Sequence, residues 1–266
     1  MKLKSWLKGF FALVVTISAV LFAYSPVVAT QGDVVQASPP RIAQKITPIA
    51  SSADLEINST QVSYLRDLDL LVFEQTVNGT VGQTLPTPAG QLEGAPVLGY
   101  VFPTTLSPEA IGFSGTDGVV ALAVTSHPDF DDTPLWDEDN DRQYDNDGVV
   151  FHAHWVVLTP DDRVAGGLSV QQFSPEDDSV MLPPTNPGMP MYIDSPGFSV
   201  LTQEDTLKVL VPAQRVNNNI DFNYDAVTAY MQVNTADDAL PLLGVYEVYD
   251  VQSGDLSLPF SVDSVS

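Results

Sequence analysis

The chain has 266 residues, no cysteine, and ten basic against 34 acidic residues, for a net charge of −24. Such an excess of negative charge excludes nucleic acid and anionic membrane surfaces as partners, and it favours bound cations or a saline medium that screens self-repulsion. Without cysteine no disulfide can staple the fold, so stability rests on burial and on any ion the protein holds.

Lys2, Lys4 and Lys8 precede an apolar run from Phe10 to Phe22, and "SPVVAT" then offers Val27 and Ala29 as the small residues of a cleavage site. This is the pattern of a secretory signal peptide over residues 1–29, and the apolar run is short for a membrane span. The expected location is periplasmic or extracellular, with no membrane span after cleavage. No cysteine follows the cleavage point to carry a lipid anchor. All 34 acids lie beyond Ala29, where only seven basic residues remain, so the mature net charge is −27.

Residues 30–60 are rich in Ser, Pro, Ala and Gln and predict a flexible lead-in with at most one strand. From residue 61 to 266 the pattern is that of a single β domain. "LDLLVFEQTVNGTVGQT" places Asn78-Gly79 between β-rich flanks, the signature of a tight hairpin. "SPEA" at 107–110 allows one helical turn. "APVLGYVFP", "DGVVALAVTSH", "GVVFHAHWVVL", "RVAGGLSVQQF", "DTLKVLVPAQRV", "AVTAYMQV" and "LLGVYEVYDV" are further β-branched and aromatic runs, broken by Pro, Gly, Asn and Asp. No run sustains a helical period and nothing repeats at a fixed interval. The expected fold is all-β: an antiparallel β-sandwich first, a partly closed β-barrel second.

Two of the three histidines, His152 and His154, sit in one of these runs. In a strand over 149–158, Val150, His152, His154, Val156 and Leu158 share one face, and Val149, Phe151, Ala153, Trp155 and Val157 share the other. Both faces are apolar, so the strand is central, and buried imidazole nitrogens need partners. Side chains two residues apart can close onto one ion. His127 ends "GVVALAVTSH", and an antiparallel register opposing it to His152 would gather three imidazoles at one sheet end, a copper or zinc site. A second reading leaves His152 and His154 as core histidines bonded to backbone or acids, with His127 capping a turn. A third gives them a proton-transfer role without metal.

The excursion 128–148 carries Asp137, Asp139, Asp141, Asp145 and Asp147, alternating carboxylates that suit a hard cation, and calcium is the expected ligand. The spacing resembles the short calcium loops of extracellular repeat modules. It departs from an EF-hand because Arg142 stands at the turn glycine and Gly148 where a bidentate Glu would close the loop. Met181, Met189 and Met191 in "MLPPTNPGMPMYIDSP" add a thioether option for copper, against the commoner reading of gap-filling core.

The H-x-H pair with a separate third histidine also resembles water-activating zinc sites, including those of the α-type carbonic anhydrases, which implies a hydrolase or hydratase. In that family the lone ligand follows the pair, whereas His127 precedes it. No Gly-x-Ser-x-Gly elbow is present, and "AGG" at 165–167 has no lysine of a phosphate loop. The composition and motifs therefore favour a non-enzymatic metal-binding protein over a zinc enzyme. A calcium-dependent module for a carbohydrate or cell-surface ligand, with Trp136 and Tyr144 as aromatic platforms, is the third possibility.

Overall fold

A computed structural model describes residues 46–132, 142 and 151–265. The signal peptide, most of the lead-in and the five loop aspartates lie outside the described residues. Among those described, helix is limited to three short 3-10 turns, at Ala53–Leu55, Pro108–Ile111 and Ala213–Val216, the second of which is the "SPEA" turn.

Everything else of regular structure is strand. β1 (Ile57–Leu65), β2 (Leu70–Val77), β3 (Pro96–Pro103), β4 (Val119–Ser126) and β5 (His152–Pro160) are followed by the short β6 (Leu168–Val170) and β7 (Ile193–Asp194). β8 (Ser199–Gln203), β9 (Thr206–Pro212), β10 (Asn223–Tyr224), β11 (Val227–Val233), β12 (Leu243–Val251), β13 (Phe260–Ser261) and β14 (Asp263–Val265) complete the order. Each apolar run read from the sequence overlaps one of these strands; the strand expected over 149–158 is described from His152 and extends to Pro160.

The strands make two main layers. In the order β4-β3-β11-β12-β6-β5, neighbours pair antiparallel, and β4 pairs again with β5, so six strands close into a barrel. The second layer is a five-stranded sheet, β14-β1-β2-β9-β8, antiparallel except for the parallel β1–β14 pair. The all-β expectation holds, and the closed barrel is the second of the two architectures expected. Closure removes the open edges of the larger sheet.

Strand alternation explains why β5 is apolar on both sides. Its outward residues Ala153, Trp155 and Val157 join Tyr100, Phe102, Leu122 and Val124 against Val62, Leu71, Phe73, Leu207 and Val209 of the second sheet, one continuous core between the layers. Its inward residues Val156 and Leu158 join Val97, Ala121, Ala123, Ala229, Met231 and Val245 inside the barrel. His152 and His154 share the inward parity and are buried with it.

One turn differs from expectation. The β1–β2 hairpin closes at Arg66–Asp69, where Asp69 takes a left-handed φ of 51°, and Asn78-Gly79 lies at the far end of β2. Gly79 has a negative φ; a Cβ there would lie 2.6 Å from the backbone nitrogen of Asp54. The glycine is needed for close backbone approach, which a hairpin signal cannot distinguish from a turn.

Candidate metal centre

β4 and β5 deliver the histidines. Their register sets Thr125 opposite His152 and Ala123 opposite His154, so His127 lies two residues beyond the expected pairing with His152. A shift of two preserves the face, whereas a shift of one would have reversed it. His127 therefore stays on the lumen side, just past the end of β4, and the chain turns back over it. Its Nδ1–H donates to the Phe130 carbonyl at 2.6 Å, and the Phe130 ring stacks on it at 4.4 Å. Asp129 accepts the Ala89 and Gly90 N–H groups at 2.9 and 2.6 Å, which ties the turn to the neighbouring loop.

That turn brings in Asp132. His127, His152, His154 and Asp132 form a cluster whose donor atoms all lie within 4.8 Å of one another, a group that could hold a metal ion. The Nε2 atoms of His127 and His154 are 3.4 Å apart, and Asp132 Oδ1 lies 3.4 Å from the first and 3.6 Å from the second. Two donors about 2.05 Å from zinc at a tetrahedral angle are separated by about 3.35 Å. The triangle already has nearly that size. Asp132 Oδ1 is buried and accepts no hydrogen bond.

The tautomers agree. With Nδ1 of His127 donating to Phe130, its Nε2 carries a lone pair toward the cluster. His154 Nδ1 sits 3.0 Å from Ser195 Oγ, a fully buried hydroxyl, which leaves Nε2 as its inward atom. Such outer partners orient metal-binding imidazoles. Asp131 Oδ1 stands 3.7 Å from His152 Nδ1, beyond hydrogen-bond distance.

Burial pushes His154 down to about 4, and the nearby Asp132 carboxylate only partly offsets it. Burial raises Asp132, but its coulombic coupling to the three imidazoles, His154 foremost, carries the net direction downward. Near neutral pH the site thus holds an ionised carboxylate and a neutral His154, the protonation states that bind metal. The folded His154 value lies below its unfolded value of about 6.5. Its contribution to stability is then fully present above pH 6.5 and is lost as pH falls toward 4. Urea unfolding of the metal-free protein should show a falling midpoint across that window; a flat midpoint would contradict the buried neutral imidazole.

Asp132 is the residue that sequence reasoning missed. Its signal was present in "SHPDFDDTP", directly after His127, but the longer run of alternating acids drew attention to Asp137–Asp147 instead. Those five aspartates lie outside the described residues, as do Trp136 and Tyr144. The three methionines do not come together at the histidine cluster. Met181 is 64% exposed and bridges to Ser114, at the end of β4 opposite His127. Met189 and Met191 line a cavity of about 220 Å³ inside the barrel, whose wall also includes Thr125, His127, Asp132 and His154.

Comparison with family models, with curated proteins and with solved structures found no match to this chain.

Proposed function

We propose that this is an exported, non-enzymatic metal-binding protein that holds one zinc or copper(II) ion through His127, His152, His154 and Asp132. The observation that carries the proposal is the buried Nε2–Nε2–Oδ1 triangle, with edges of 3.4, 3.4 and 3.6 Å. Three imidazoles and one carboxylate suit a tetrahedral zinc ion, whereas copper(II) favours a flatter arrangement, so zinc is the first choice. Four protein donors fill a tetrahedron and leave no open position for substrate, which weighs against the hydrolase or hydratase reading. Among the described residues no helix is long and apolar enough to cross a membrane.

Titration of chelator-stripped protein with zinc against a competing indicator should show one tight site per chain. Copper(II) should compete for it and quench Trp155, which lies between His154 and Val156 in β5 with its ring on the opposite face. Absence of a stoichiometric site for either ion sinks the proposal. The acidic excursion is retained in it as a calcium site. Terbium emission sensitised by Trp136 and Tyr144 checks that part separately, and no sensitised emission removes it.

A further inference from the structure

The barrel interior is larger than its metal-binding end requires. Small residues leave the room: Ala123 and Ala229 line the lumen, and Gly99, paired with Ala229 on one side and Thr125 on the other, lets Met231 pack onto the wall, since a Cβ there would lie 2.8 Å from Met231 Cε. The resulting cavity of about 220 Å³ extends from His154 and Asp132 to Pro103, Val119 and Leu256 at the other mouth. Apart from Phe130 and a few polar groups at the histidine end, its wall is aliphatic or methionine. Apolar cavities of roughly 150 Å³ stay dry and admit benzene-sized solutes. At about 30 Å³ per water-sized group, this one has room for about seven non-hydrogen atoms.

One polar atom faces an unmet need there. Thr125 lines the cavity beside the histidines, and its Oγ1 is buried without a hydrogen-bond partner. A hydroxyl both donates and accepts, so a ligand with one terminal oxygen would satisfy it. The charge of the site selects among such ligands. Asp132 belongs to the cavity wall and Asp131 lies just behind it, with side chains 9% and 3% exposed, so an anionic head would be buried next to carboxylates. At the far mouth Leu256 and Leu258 also line the cavity, and both take left-handed backbone conformations, with φ of 57° and 53°. Side-chain-bearing residues enter that region at a cost, and strained backbone of this kind concentrates at ligand clamps.

We propose that the barrel lumen is a binding site for a neutral aliphatic molecule of about six carbons with a single terminal oxygen. The chain lies among Val156, Ala229 and Met231, and the oxygen bonds the Thr125 hydroxyl. The proposal does not depend on the ion, so it stands or falls separately from the metal-binding reading.

The test is calorimetric titration of the full chain with 1-hexanol, run on both zinc-treated and chelator-stripped protein. One molecule should bind per chain in both, with a Kd on the order of 0.1–1 mM for a ligand of this size. Ala229→Leu fills the lumen and should weaken binding at least about tenfold while zinc binding persists. Thr125→Val removes the hydroxyl and should weaken it roughly five- to tenfold. In the chelator-stripped protein, where the Asp132 charge is uncompensated, hexanoate should bind at least about tenfold more weakly than hexanol. If Ala229→Leu fails to fold, Val119→Trp at the 39%-exposed rim blocks the mouth instead. Absence of saturable hexanol binding, or undiminished binding to the lumen-filling or mouth-blocking variant, overturns the proposal. Hexanoate binding the stripped protein as tightly as hexanol overturns the neutral ligand class.

Discussion

Asp132→Asn is expected to weaken zinc binding roughly 100-fold, about 2.7 kcal/mol, in the same competition titration. The substitution keeps the shape of the side chain and removes its charge. Asp132 Oδ1 sits 3.4 and 3.6 Å from the two inward imidazole nitrogens, so its carboxylate is the one charged donor in the cluster and offsets half the charge of a dication there. A carboxamide oxygen in its place supplies a weaker, uncharged donor. His127→Ala should weaken binding at least about tenfold, and His152→Ala should abolish tight binding, since each removes an imidazole nitrogen from the cluster. If all three variants bind zinc as the parent does, the cluster is core structure and the second reading of the histidine pair is correct.

Phe73→Ala should lower stability by about 3–5 kcal/mol, or roughly 6–20 °C in melting temperature for a domain of this size. Phe73 is fully buried in β2 and reaches from the five-stranded sheet to the barrel wall. Its ring meets Phe102 and Trp155 edge-on at 5.4 and 6.1 Å and stacks on Phe222 at 6.1 Å. Truncation opens a void bordered by both layers, which neither can fill alone. Calorimetry measures the shift. A change below about 1 kcal/mol would mean that the two layers are not held together by this aromatic cluster.

How far the sequence revealed this arrangement varied with the range of the interaction. Parity was legible: His152 and His154 alternate with Ala153 and Trp155, and the alternation alone puts the imidazoles on one face. It also showed that β5 is covered on both sides. What covers each side was not legible, because barrel closure depends on β4 meeting β5 across the acidic excursion and on β12 meeting β6 through little more than the Gly244–Ser169 pair. Neither contact leaves a local pattern. The position of His127 was misjudged for a related reason: it lies outside the ladder, placed by a turn whose key bond is to a backbone carbonyl at Phe130. Asp132 was hidden by abundance, since an acid-rich segment offers many carboxylates and only the turn decides which one faces the imidazoles. Small residues carried information that was passed over. Ala123 and Ala229 sit in ordinary strand runs, yet they line the lumen, and Gly99 lets Met231 pack against its wall.

X-ray absorption at the zinc edge of the metal-loaded protein tests the proposed centre most directly. Three imidazole nitrogens and one carboxylate oxygen should appear at about 2.0–2.1 Å, with the imidazole scattering lost in steps as His127, His152 and His154 are replaced singly and together. A spectrum dominated by oxygen donors with one imidazole or none would place the ion elsewhere, in the acidic excursion, and would contradict the assignment of the barrel end as the metal centre.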